Sequence, residues 1–283
     1  MTQGKYIIRK MSAYEVNIAV DWAAEEGWNP GLHDAVAYMK ADPNGFFLGC
    51  LDGEPIACIS AVKYGESFGF IGFYIVKPNY RGNGYGLQIW NHAMAYLQGV
   101  NIGLDGVVDQ QENYKKSGFS LAYRNMRFEG RTRSCSSLFP EIVPIDEIPF
   151  NSLLNYEETF FPESRDVFFA YWIRQPNSHA FAYVSGGSLL GYGVIRKCRV
   201  GYKLAPLYAE NNEIAKCLLE SLISQVDVNQ PYFLDITEQN QGALSLVEEL
   251  EMKLSFETAR MYTKETPVLP IHKIYGIASF EIG

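Results

Sequence analysis

Arg81-Gly82-Asn83-Gly84-Tyr85-Gly86 is the segment of this 283-residue chain whose residue types could do chemistry. Glycines on alternate positions allow a tight turn whose backbone N–H groups converge on one point. A helix beginning near Gly84 aims its positive end at the same space. The two together form a seat for a phosphate or pyrophosphate, and Arg81 can add a charge-assisted contact at its rim. A P-loop requires Gly-Lys-Ser/Thr at the helix start, and this helix starts Gly84-Tyr85-Gly86-Leu87. A dinucleotide fingerprint begun at Gly82 or Gly84 requires glycine where Leu87 or Ile89 stands. The alternative left by the loop alone is a glycine turn that only shapes the chain.

The flanking elements put the loop between a buried strand and an amphipathic helix. Phe68–Val76 is a run of apolar residues and glycines, which describes a central strand covered on both faces. Pro78 stops it, because proline donates nothing to the ladder. Leu87, Trp90, Met94 and Leu97 then recur on one helical face. Asn101–Val107 reads as the next strand, Gln110–Ser117 as a short helix ended by Gly118, and Leu121–Phe128 as another strand. Upstream, Tyr6–Arg9 is a short strand, and Ala13–Glu26 and Gly31–Lys40 are helices broken at Asn29-Pro30-Gly31. Gly45–Leu51 and Glu54–Tyr64 form a hairpin closed by Asp52-Gly53. The expected class is α/β, an α+β mixed sheet that is antiparallel first and strand–helix–strand later.

A weak repeat organises the whole chain. Phe46-Phe47-Leu48-Gly49, Gly53 and Ile56–Val62 are echoed by Ala180-Phe181-Ala182-Tyr183, Gly187 and Leu189–Ile195. Phe119 with Arg124-Asn125-Met126 is echoed by Phe256 with Arg260-Met261. Between the copies, Arg131–Pro149 is rich in serine and proline, as a linker is. Two domains of similar architecture are expected, 1–138 and 139–283.

Composition excludes several functions. Hydrophobic residues at 47% and charged residues at 20% describe a globular chain with a sizeable core. The 19 tyrosines and 17 phenylalanines suit wide buried sheet faces. A net charge of −8 argues against a nucleic-acid partner and against a membrane surface. Met1–Lys5 lacks the apolar core of a signal peptide, and no apolar run approaches the length of a membrane span. Cys50, Cys58, Cys135, Cys198 and Cys217 are scattered without a C-x-x-C pair, and only 4 histidines accompany them. The expectation is reduced buried thiols, no metal site and a cytoplasmic protein.

Val76-x-Pro78-x-Tyr80-Arg81-Gly82-x-Gly84-x-Gly86 resembles the acyl-CoA-binding motif of the GNAT superfamily of N-acetyltransferases, in its strand–loop–helix setting. Tyr114-x-x-x-Gly118-Phe119 is similar to that superfamily's Y-x-x-x-G-F segment, and the likeness covers about residues 5–130. The resemblance implies direct transfer of an acetyl or other short acyl group from acyl-CoA to the primary amine of a small molecule or a peptide N-terminus. It implies cofactor-binding positions at Tyr74, Ile75, Val76, Arg81, Gly82, Asn83, Gly84, Tyr85, Gly86 and Asn113. A backbone N–H on the strand before the loop would stabilise the oxyanion, a contact of about 3–4 kcal/mol. Tyr114 is the implied general acid for the leaving thiolate, since tyrosine near ~10 and a thiol near ~8.5 exchange a proton readily.

The strand before the loop has no carboxylate, so the general base stays open among Glu66, Asp105, Asp109 and Glu112. The later half resembles the same fold faintly, from Tyr202–Ala209 onward, with Tyr275–Glu281 as its last strand. Its loop reads Leu207-Tyr208-Ala209-Glu210-Asn211-Asn212, where Glu210 repels phosphate. That copy is expected to be degenerate, shaping the acceptor pocket or a homodimer contact. Trp22, Trp28 and His33 suggest an aromatic-lined acceptor pocket; Trp172, Arg174, Arg196 and Tyr202 read chiefly as structural. The alternative function is a non-catalytic acyl-CoA-binding regulatory module.

Overall fold

The apolar runs become strands of one 13-stranded mixed sheet in a computed structural model that describes residues 4–133 and 139–283. Cys135 and part of the expected linker lie outside the described residues. The strands of the earlier half are β1 (Tyr6–Lys10), β2 (Phe46–Leu51), β3 (Glu54–Tyr64), β4 (Phe68–Val76), β5 (Asn101–Val107) and β6 (Ser120–Arg131). Those of the later half are β7 (Ile142–Pro144), β8 (Ser178–Ser185), β9 (Ser188–Lys197), β10 (Tyr202–Ala209), β11 (Pro231–Thr237), β12 (Lys253–Tyr262) and β13 (Ile274–Gly276). Helices are α1 (Val16–Glu25), α2 (Asp34–Ala41), α3 (Tyr85–Tyr96), α4 (Gln111–Lys116), α5 (Phe150–Glu157), α6 (Asp166–Trp172), α7 (Asn212–Ile223) and α8 (Gln241–Glu249).

The strand order is β1-β2-β3-β4-β5-β12-β6-β11-β10-β9-β8-β7, with β13 against β10. This order reads the same from both ends if each half's last strand is exchanged. β12 from the later half pairs with β5, and β6 from the earlier half pairs with β11. The exchanged strands pair with each other at the centre. The exchange removes two open sheet edges at once, which would otherwise leave rows of unpaired backbone groups.

Helices cover both faces. α3 and α4 pack on one face of the earlier half through Ile89, Trp90, Ala93, Leu97 and Tyr114, and α7 and α8 do the same in the later half. A third cluster spans both halves, with α2 against α6 and Tyr38 stacked on Trp172 at 5.7 Å. Arg196 lies over Trp172 at 4.1 Å and binds Asp34 through Nε at 2.8 Å. Arg127 of β6 holds Asp235 of β11 bidentately at 2.6 and 2.8 Å. Each of these buried ion pairs joins one half to the other.

Two expectations are corrected. Leu87, placed on the buried helix face, is 62% exposed. Gly86 lies against Tyr74 and Val76, which rotates the buried face of α3 onto Ile89, Trp90, Ala93 and Leu97 and turns Leu87 outward. Of the expected last strand Tyr275–Glu281, only the start is strand, and the counterpart of β6 is β12. Residues 278–283 leave the sheet as Ser279 turns the chain, its Oγ accepting from the N–H of Glu281 at 3.0 Å and of Ile282 at 3.2 Å.

The exchange makes a prediction about dissection. A 1–138 fragment strips β5 of β12 and leaves β6 without either neighbour. It also leaves Arg127 without Asp235, and breaking such a pair costs about 3–5 kcal/mol, a large share of a domain's ~5–15 kcal/mol. The fragment is expected to show no cooperative thermal transition by circular dichroism. A transition matching that of the full chain would refute the interdependence.

Candidate functional site

β4 and β5 run parallel but pair only from Phe68↔Asn101 to Ile71↔Leu104. Beyond that point the strands diverge. A bulge sits at the fork: Cys58 faces Ile75 and Ser60 faces Gly72, leaving one extra residue on β4. Phe73 takes φ +46 there, a left-handed conformation costing on the order of 1–3 kcal/mol in a non-glycine residue. The fork opens into a cavity of about 540 Å³ lined by β4 from Ile71 to Val76, by β5 from Leu104 to Val107, and by the loop before α3.

The glycines of that loop adopt the left-handed backbone that a tight turn uses. Gly82 and Gly84 have φ +80 and +82, conformations that disfavour any side chain. Gly84 caps α3 without a side-chain hydrogen bond, and no acidic residue occupies the first turn. The first-turn N–H groups of α3 therefore lack an intrahelical partner and meet the cavity with the positive end of the helix. A Cβ on Gly86 would meet Tyr74 Oη at 2.7 Å, so glycine is what allows helix and strand to approach.

Seven of the expected cofactor positions line the cavity: Tyr74, Ile75, Val76, Arg81, Gly82, Gly84 and Gly86. Arg81 is engaged within the protein, its Nε donating to Val76 O at 2.7 Å and its Nη2 pairing with Glu26. It braces the end of β4 against α1. Asn83 donates to Tyr80 O and Arg81 O inside the turn. Tyr85 packs on Tyr6 at 4.8 Å, and Asn113 donates to Gln110 Oε1 at 2.8 Å. Asn83, Tyr85 and Asn113 are not among the lining residues.

Tyr114 lines the cavity from α4, 9% exposed, with its ring 5.6 Å from Trp90. A Cβ on Gly106 would strike the Tyr114 ring at 2.2 Å, so the glycine of β5 makes room for it. Burial, with Tyr74 as a smaller contributor, pushes its ionisation up to about 12. The hydroxyl stays protonated at neutral pH and is available as a donor.

The carboxylates considered for the base part ways. Glu66, Asp109 and Glu112 are exposed. Asp105 lines the cavity but is gripped by Arg260 at 2.9 and 2.5 Å, with Asn125 donating at 2.8 Å. Trp28, Phe256, Thr258, Phe280 and Glu281 also line the cavity. Only Trp28 among these was expected. Trp22 lies under Lys77, and His33 sits beside Asn177. Trp172 and Arg196 are buried between the halves, while Arg174 pairs with Asp146 and Tyr202 lies under Lys197. The missed signal for Glu281 was a lone acid within the apolar run Ile277–Ile282.

Glu281 is 2% exposed. Its Oε2 accepts from Tyr38 at 3.1 Å and Ser279 at 2.7 Å, while Oε1 has no hydrogen-bond partner. A buried polar atom left so costs about 1–3 kcal/mol. Its backbone carbonyl accepts from Ser60 at 3.2 Å and lies where a Cβ on Gly72 would be, 2.0 Å away. Among the described residues, no group of three or more His, Cys, Asp or Glu gathers as a metal would require.

The later half treats the same fork differently. β10 and β11 pair in parallel only from Tyr202↔Tyr232 to Leu204↔Leu234. β13 then enters the gap, pairing with Leu207 and Tyr208, and Ile277 N–H continues to Asp235 O at 2.9 Å. At the mouth of α7, Asn211 caps the helix with its own side chain, and Tyr275 donates to Asn212 at 2.6 Å. The fork and the helix end are both satisfied from within.

Residues 13–119 match the model of the acetyltransferase (GNAT) family, and residues 153–276 match that of the acetyltransferase (GNAT) domain. A holothin acyltransferase from Pseudoalteromonas sp. (strain SANK 73390) is 32% identical over 272 residues, 96% of this chain and 92% of that protein. The chain belongs to the GNAT family of acyltransferases and carries two such domains in tandem. A putative acetyltransferase from Pyrococcus horikoshii shares the fold, with a TM-score of 0.83 over 100% of this chain and 97% of its own at 22% identity. A tandem GNAT protein from the clavulanic acid biosynthesis pathway has a TM-score of 0.63 over 93% and 100% at 11% identity. Among the described residues no helix is long and apolar enough to cross a membrane.

The environment of Tyr114 is open to direct test. With ring-carbon-labelled tyrosine, the resonance missing from a Tyr114→Phe variant is expected to stay unshifted at pH 10.0, the ordinary midpoint for tyrosine. Half-titration at that pH would show an exposed ring.

Proposed function

We propose that the chain transfers a short acyl group, acetyl foremost, from acyl-CoA to a primary amine of a small molecule or peptide N-terminus by direct attack on the thioester. The observation that supports it is the contrast between the two forks: one is open beside an uncapped helix end, the other is filled by β13. In this reading residues 1–138 hold the acyl-CoA and residues 139–283 shape the acceptor end.

The first-turn amides of α3 and the turn at Gly82–Gly84 receive the pyrophosphate, as an anion at a helix N-terminus requires. The edge of β4 beyond Ile71, which has no strand partner on the β5 side, holds the pantetheine arm, and an N–H of that edge stabilises the oxyanion. Arg81 acts by fixing the end of β4. Binding energy from the remote nucleotide holds the thioester beside the amine. The nitrogen lone pair forms the C–N bond, the carbonyl electrons move to oxygen, and collapse breaks the C–S bond. Tyr114 gives its proton to the departing sulfur and regains one from the nitrogen through the cavity. No acyl-enzyme forms.

The test measures thiol release from acetyl-CoA with holothin and with benzylamine, spermidine and a short peptide as acceptors. Release well above the rate without acceptor is expected for at least one of them. Release that never exceeds spontaneous hydrolysis would favour the regulatory module. Gly84→Glu is expected to lower coenzyme A affinity at least a hundredfold by calorimetry, because a carboxylate enters the anion seat; unchanged affinity would displace the site. Tyr114→Phe is expected to lower kcat by about a hundredfold, within the range for general acids, and to spare KM for acetyl-CoA. An unaltered kcat would remove Tyr114 from the mechanism.

A further inference from the structure

We infer that Glu281, carried into the earlier domain's cavity by the segment that follows β13, is the catalytic carboxylate that binds the incoming ammonium and takes its proton. This rests on the acyl-transfer reading above.

Position is the first argument. The pairing of β4 with β5 ends at Ile71↔Leu104, and the next residue of β4 is Gly72. The Glu281 carbonyl lies directly on Gly72, where no side chain fits. The Glu281 backbone therefore stands at the deep end of the fork, and the residue lines the cavity along which the β4 edge runs. Residues before and after it are tied down, Tyr38 holding Ser279 and Tyr64 holding the Ile282 carbonyl at 2.9 Å. Arg165 holds the Gly283 carbonyl at 2.8 Å.

Unused bonding capacity is the second. Two hydroxyls satisfy Oε2, and Oε1 has no partner. An ammonium has the donors that Oε1 lacks. Trp28, Phe256 and Phe280 line the cavity beside it, so the acceptor's body is apolar or aromatic and its amine is the polar end.

Exclusion is the third. β4 itself supplies no acid, Asp105 is committed to Arg260, Glu26 at the cavity wall is committed to Arg81, and Glu66, Asp109 and Glu112 are exposed. Glu281 interacts electrostatically with Tyr38 of α2, Arg127 of β6 and Lys203 of β10, and Asp34, Arg196, Cys198 and Asp235 lie in the same buried layer. Arg127 is paired with Asp235, and Arg196 with Asp34. Lys203, kept buried, balances the negative charge of Glu281 without a hydrogen bond to it.

In the step, the ammonium's N–H bond breaks and its proton goes to Oε1, leaving the lone pair for the thioester carbonyl. Glu281 later releases that proton to solvent, which is the proton lost overall when an ammonium becomes an amide.

Glu281→Gln keeps the size and the contacts to Tyr38 and Ser279. With acetyl-CoA and the fastest acceptor of the panel, it is expected to lose at least a hundredfold in kcat/KM at neutral pH, with coenzyme A affinity unchanged. The loss narrows as pH approaches the acceptor's own pKa, where unprotonated amine no longer needs a base. A purely structural role gives a loss independent of pH, and that result, or full activity, overturns the inference while acyl transfer stands. If the glutamine variant does not fold, Glu281→Ala decides: activity regained with formate but not chloride supports the inference, and no regain overturns it. A wild-type chain that binds coenzyme A and acylates none of the amines overturns the acyl-transfer reading itself, and this inference with it.

Discussion

Two parallel strands cannot diverge inside a protein without leaving backbone donors and acceptors unpaired, and buried groups of that kind must find partners. Past Ile71 and Leu104 the facing edges of β4 and β5 are in that condition. The same divergence occurs past Leu204 and Leu234, where β13 enters and satisfies it. One architecture thus meets one constraint in two ways. Where the chain fills the gap itself, the helix beyond is capped by Asn211. Where the gap is open, the helix beyond starts at an uncapped glycine. The open fork and the uncapped helix start face one cavity, lined by β4 from Ile71 to Val76 and by Gly82, Gly84 and Gly86.

The exchange of β6 and β12 gives the filled half a part in the open half's site. Phe256 and Thr258 come from β12, which reaches the cavity only because it pairs with β5. Phe280 and Glu281 follow β13 after it leaves the later fork. The segment that closes one fork therefore walls the other. Buried pairs such as Arg196–Asp34 and Arg127–Asp235 bridge the halves, and each is costly to break one partner at a time.

How far the site could be read in advance depended on the range of the interactions. Gly82, Gly84 and Gly86 sit within one turn, and their role is fixed by backbone sterics that act between neighbours. Tyr114 was placed by a short segment ending at Gly118, and it does face the cavity. Arg81 was legible as part of the loop, yet its partner Glu26 lies far away in sequence and changes what the guanidinium does. Leu87 shares the apolar period of α3 yet faces outward, because helical periodicity alone does not say which side meets β4.

The sequence by itself determined the strand, glycine turn and helix beside the cavity, the mixed α/β class and the weak twofold repeat, since each follows from local conformational preference and patterning. Only the tertiary structure decided that the last strands change places, that β13 plugs the second fork, and that Glu281 arrives beside Gly72. Those outcomes arise from contacts between residues far apart in the chain, such as Tyr38 with Glu281. No periodicity or spacing along a sequence records which distant segments will meet.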